Sequence, residues 1–138
     1  MAKYVFEVLE LASKGSKQNK IKVLQENETW ALKDVLKGTF DKNIEWNLPK
    51  GDVPYIASEE HNHPASLHRE NVNFKYFVKG FKAGDSLPAF KREKIFLGIV
   101  ESVHPQDAIA VINMINKIPP EGITKNIVEE AFPGLLSE

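Results

Sequence analysis

The chain contains no cysteine, which excludes disulfides, thiolate metal sites and a cysteine nucleophile and fits a reducing compartment. It has no surplus of either charge. Eighteen Lys and Arg stand against nineteen Asp and Glu, a net charge of −1, so any charged contact with a partner must come from a local patch rather than from the whole surface. Long apolar runs are also missing. The opening stretch, MAKYVFEVLELASKG, is interrupted by Glu7 and Glu10, and reads as neither a signal peptide nor a membrane span. These absences describe a cytoplasmic protein. Internal repeats, Gly-rich phosphate loops and nucleophile elbows are not found either. The adjacent pairs Glu59-Glu60 and Glu129-Glu130 would point in different directions on a helix, which argues against an acid/base dyad. The reading is non-enzymatic, with no cofactor.

What is present is ordinary for one folded domain. Apolar residues make up 42% and charged residues 27% of the 138 positions, and a chain of this length buries roughly two-thirds of its unfolded surface. The apolar residues recur at helical spacing. Pro88 to Ile118 is the organising stretch: Ile95, Phe96, Ile99, Val100 and Val103 share one face, then Ala108, Val111, Ile112 and Ile115 another. Between them His104-Pro105 stops the first helix near Val103 and starts the second, because proline disfavours helix at the residue before it yet fits a first helical turn. His104 reads as the cap. So short a connection makes the two helices packed neighbours.

The remainder divides around this hairpin. Residues 1–40 read as a three-helix layer. In the first helix Tyr4, Val8, Leu11 and Ala12 line up, and Gly15 ends it. Ser16 caps the second, with Ile21 and Leu24 inward and Lys17, Gln18, Lys20 and Lys22 outward. Asn27 caps the third, whose face is Leu32, Leu36 and Phe40 and whose last turn Gly38 weakens. Residues 41–65 lose the helical period and hold three prolines. They read as an extended arm laid along the helices, anchored by Trp46 and Tyr55, with Ile44 to Leu48 alternating as in a strand that has no evident partner. Residues 66–134 return to helix. Ser66 to Lys79 carries Leu67, Phe74, Val78 and Phe81 on one face, and Gly80 and Gly84 bracket the turn into the hairpin. Thr124 caps a last helix with Ile123 and Val128 as a hydrophobic staple, and Pro133-Gly134 ends it before a tail, 135–138. The expected fold is all-α, a single domain of short amphipathic helices.

Three clusters invite functional readings. Trp46, Tyr55, Leu135 and Leu136 are apolar residues outside regular helices, the material of an exposed protein-binding surface. Lys75, Lys79, Lys82, Lys91, Arg92 and Lys94 interleave with Tyr76, Phe77, Phe81 and Phe90, as cations for phosphates and rings for unstacked bases would. His61-Asn62-His63-Pro64 offers two imidazoles beside Glu59 and Glu60, the chemistry of a zinc site. The serine and aspartate that a JAMM metalloprotease core places downstream do not follow, and an HNH nuclease needs a ββα framework, so no metal site is assigned.

Leu48-Pro49-Lys50-Gly51-Asp52-Val53-Pro54-Tyr55, the stretch KREKIFLGIVESVHPQDA from Lys91 to Ala108, and IVEEAFPGLL from Ile127 to Leu136 together resemble an uncharacterised family of small proteins from T4-like tailed phages, many from marine and cyanobacterial hosts. The resemblance implies a phage protein acting in an infected bacterium or carried in a virion, and transfers no catalytic residue. The first functional expectation is therefore a phage-encoded adaptor that binds a protein of the replication or transcription machinery or of the virion. The alternative is a nucleic-acid-binding accessory protein using the basic stretch, and a metal-dependent hydrolase at His61 and His63 comes third. No membrane or small-molecule substrate enters any of these readings.

Overall fold

The computed structural model describes residues 3–48 and 67–136, and its architecture is all-α. The N-terminal layer consists of α1 (Val5–Leu11), α2 (Lys17–Glu26) and α3 (Trp30–Phe40). After the arm come α4 (Leu67–Glu70), which tightens directly into a 3-10 helix (Asn71–Phe77), and one turn of α5 (Lys82–Asp85). The hairpin is α6 (Ala89–Ser102) and α7 (Pro105–Ile115), and α8 (Lys125–Ala131) closes the fold. Among the described residues there is no strand, only an isolated antiparallel bridge between Trp46 and Val78.

The hairpin is the centre. α7 packs against α1, α3 and α6, while α2 packs against α8. Pro105 occupies the first turn of α7 and the His104 Nδ1 accepts from the backbone N–H of Gln106 at 3.1 Å, a cap for one of the N–H groups a helix start leaves open. Phe96, Ile99, Val100 and Val103 are buried as the spacing predicts, and across from them Ala108, Val111, Met114 and Ile115. Met114 takes the central place expected of Ile112, which is half-buried.

Several local expectations are corrected. Thr29, not Asn27, caps α3, its Oγ1 accepting from Leu32 N at 3.2 Å, while Asn27 closes α2 through its Nδ2 donating to Val23 O at 2.9 Å. Leu11 lies on the exposed side of α1, and Val5, Val8, Leu9 and Ala12 form its buried face. Ser66 to Lys79 is not one α-helix. The buried positions Leu67, Asn71, Phe74 and Phe77 fall three apart after Asn71, the period of a 3-10 helix and not of an α-helix. Val78 then leaves the helix in extended geometry. There it supplies the partner that Ile44 to Leu48 lacked: Asn47 N donates to Phe77 O at 2.6 Å and Lys79 N to Glu45 O at 2.8 Å. Residues 44–48 thus lie against the helices as expected of the arm, and residues 49–65 lie outside the described residues.

The α2–α8 contact uses cations expected to be merely solvated. Lys17 Nζ meets Glu130 Oε1 at 3.0 Å and Lys20 Nζ donates to Gly122 O at 2.7 Å. Gln25 Nε2 donates to Ala131 O at 3.1 Å, satisfying a carbonyl at the end of α8.

Candidate functional site

Of the four residues expected to form a protein-binding surface, the three that are described do not lie open on one. Trp46 is only 7% exposed. Its Nε1 donates to Gly38 O at 3.0 Å and its ring meets Phe74 edge-on with centroids 6.4 Å apart, so a large apolar ring and its single donor are both satisfied inside. Leu136 is buried and Leu135 half-buried against the core. Tyr55 lies outside the described residues, as do His61 and His63. Among the described residues no group of three or more His, Asp or Glu side chains could hold a metal ion.

The basic stretch separates into a clamp and a surface. Arg92 belongs to the clamp, a correction to its expected role on nucleic acid. It is 8% exposed; its Nε donates to Asn47 O at 2.9 Å, and its Nη1 to Gly84 O at 3.1 Å and Leu87 O at 2.8 Å. One guanidinium thereby joins residue 47, the end of α5 and the start of α6, using the planar fork that lysine lacks. Gly84 is there because any Cβ would strike the carbonyl of Tyr76. Lys75, Lys79, Lys82, Lys91 and Lys94 are all exposed, and none makes a salt bridge among the described residues. Next to them in the chain are Phe81, 47% exposed, and Phe90, 68% exposed. Phe74, Phe77 and Phe96 are buried, and Phe77 and Phe96 meet edge to face at 5.4 Å.

Sequence reasoning passed over a second feature. A cleft of about 460 Å³ opens between α3 and the 3-10 helix, walled by Trp30, Asp34, Lys37, Asn71, Val72 and Lys75 among others. Trp30 is 73% exposed, with Lys33 Nζ 4.3 Å from its ring centroid. Asn71 Nδ2 donates to Asp34 Oδ2 at 2.6 Å, and this is the hydrogen bond that Asp34 makes among the described residues. Burial raises the Asp34 carboxyl above the usual range, opposed by the Asn71 hydrogen bond and by Lys37 and Lys33. The available signal was a tryptophan at the polar edge of an amphipathic helix, away from Leu32 and Leu36.

A family of unknown function, DUF6433, matches residues 8–118. The chain belongs to this family. No curated protein sequence matches it. The DUF6433 match spans α2 through α7, so the clamp, the basic surface and the cleft all fall inside the part that defines the family, and α8 falls outside. In this DUF6433 chain, no helix among the described residues is long and apolar enough to cross a membrane.

A buried acid sits on the far side of α7. Asp107 is fully enclosed; its Oδ1 accepts from Phe6 N at 2.9 Å, and its Oδ2 has no partner among the described residues. Its carboxyl is pushed up by burial, against the pull of the Phe6 hydrogen bond and of His104 and His68. From the first turn of α7, where negative charge suits the helix dipole, Asp107 therefore also caps α1.

Proposed function

We propose that this DUF6433 protein binds nucleic acid, single strands in preference to duplex, through its basic end. The observation that carries the reading is the Arg92 clamp. By drawing α5 and the start of α6 onto residue 47, it holds one end of the molecule rigid while Lys75, Lys79, Lys82, Lys91 and Lys94 stay exposed. Exposed lysines neutralise phosphates and release the counterions condensed on a nucleic acid. Phe81 and Phe90, exposed beside them in the chain, supply the platforms on which unpaired bases stack. A duplex would leave those rings unused.

The adaptor reading has less support, because Trp46 and Leu136 pack within the protein's own core. The resemblance of three segments to T4-like phage proteins supports the nucleic-acid reading, because single-stranded intermediates accompany replication in an infected bacterial cell.

The test is fluorescence anisotropy with a labelled single strand and a hairpin duplex, titrated between about 50 and 200 mM salt. The expected result is tighter binding of the single strand, with an affinity that falls steeply as salt rises. Joint replacement of Lys79, Lys82 and Lys91 by glutamate abolishes it and leaves the helical circular dichroism intact. Affinity indifferent to salt and to those replacements would sink the reading.

A further inference from the structure

We infer that the cleft between α3 and the 3-10 helix is a pocket for one unpaired nucleotide of a bound strand, taking a base with a hydrogen-bond donor on its edge. The inference rests on the reading of the basic end as a strand-binding surface and adds a specific site to it. Three properties of the walls narrow the chemistry. Trp30 offers a broad indole, 73% exposed, with Lys33 Nζ 4.3 Å from its ring centroid, a ring with area to spare for stacking. Asp34 is held by Asn71 at 2.6 Å, and its second oxygen makes no hydrogen bond among the described residues. That oxygen is a fixed acceptor wanting an N–H. Lys37 and Lys75 are the lysines of the walls, which also include His68, Val72 and Phe74.

Taken together these groups reject the simpler ligands. A cation suits Asp34 but faces Lys37 and Lys75. A plain carboxylate or phosphate suits the lysines but meets Asp34. An apolar side chain would cover Trp30 and leave the carboxylate dry and unpaired, which is costly. A nucleotide answers all three: its ring stacks, its edge donates to the carboxylate, and its phosphate goes to the lysines. The volume, about 460 Å³, lies in the range of small-ligand sites. Lys75 belongs both to this cleft and to the basic stretch, which links the two in sequence. Asn71 adds a second observation. Its Oδ1 is buried without a partner among the described residues, and an enclosed polar atom of that kind calls for one.

The tryptophans make the test direct, because Trp46 is buried and Trp30 is exposed. Wild-type protein is titrated with oligo(dA), with an abasic strand of equal length, and with adenosine monophosphate, reading indole emission and anisotropy. Oligo(dA) and the mononucleotide quench the emission, whereas the abasic strand binds without quenching. Trp30→Leu loses the quench and about tenfold in affinity for oligo(dA), with no loss for the abasic strand. Asp34→Asn keeps the quench and narrows the preference for bases that carry an amino group. Glutamate at Lys79 and Lys82 removes abasic-strand binding but spares quenching by the mononucleotide, so failure of the basic end is read separately. The pocket is overturned if base-bearing and abasic strands bind alike and neither oligo(dA) nor the mononucleotide quenches, or if Trp30→Leu changes nothing.

Discussion

Gly38 and Trp46 are a matched pair, and each explains the other. A Cβ on residue 38 would meet the Trp46 ring at 2.5 Å and Met114 Sδ at 2.7 Å, so the glycine that weakens the last turn of α3 makes room for an indole and a thioether. Gly38→Ala gains up to about 1 kcal/mol of helix propensity but overpacks the site by about 1–3 kcal/mol. The net change is destabilising, and urea unfolding reads its sign. Trp46→Phe keeps most of the packing and loses one hydrogen bond. The Gly38 carbonyl still accepts from Lys117 Nζ at 2.7 Å, so the expected cost is only about 1 kcal/mol. At Asp107 the prediction concerns pH. Its folded carboxyl is raised above the ordinary carboxylate value, chiefly by burial, so the fold favours the protonated acid. Its stabilising share is complete below the unfolded value and is lost as pH rises through the raised one. Asp107→Asn keeps an acceptor for Phe6 N and cannot ionise. Wild type should therefore compare best with this variant near pH 4 and progressively worse toward neutrality, as urea midpoints at the two pH values would show; a constant difference would mean that burial of the charge is not felt.

At the level of elements, neighbouring cations have opposite roles. Arg92→Met strips hydrogen bonds from three backbone carbonyls, and at about 1–3 kcal/mol for each group left buried and unpaired the start of α6 and α5 should loosen together. Arg92→Lys recovers little because an ammonium cannot reproduce the fork. Lys91→Gln, on an exposed position, should leave stability within about 0.5 kcal/mol and weaken strand binding. Hydrogen exchange at α5 separates the two effects. This division was not legible beforehand, since Lys91 and Arg92 are adjacent letters and only the fold turns one inward. The hairpin was legible because proline acts through the backbone of its own turn: His104-Pro105 needs no tertiary knowledge. The helix after the arm was misread where Phe74 and Phe77 fit either helical period, and the choice fell to Trp46 and residues 44–48 packing alongside. The cleft escaped for the same reason. Trp30, Asp34 and Asn71 are spread over three turns and two elements, and no local pattern joins them.

The molecule as a whole is closed by contacts between its two ends. α2 rests on α8, and Lys17–Glu130, with both side chains about half exposed, adds little energy by itself. The apolar contact matters more, because Leu24 is fully buried on the same helix. A chain cut after Ile118 keeps every residue of the family match yet removes that cover. We expect it to unfold at markedly lower urea concentration and with a smaller dependence on denaturant than the full chain, since less surface is exposed on unfolding. Equal midpoints would show that α8 is dispensable.

Asp107 reaches Phe6 across 101 positions of sequence, and that span sets a schedule for synthesis. At about 5–20 residues per second, the ribosome has α1 outside the tunnel for several seconds before its cap has been translated. During that interval the apolar side of Val5, Val8 and Leu9 has no α7 to rest on. α1 is thus made well before it can be secured, and its apolar face stays uncovered by α7 until that helix emerges.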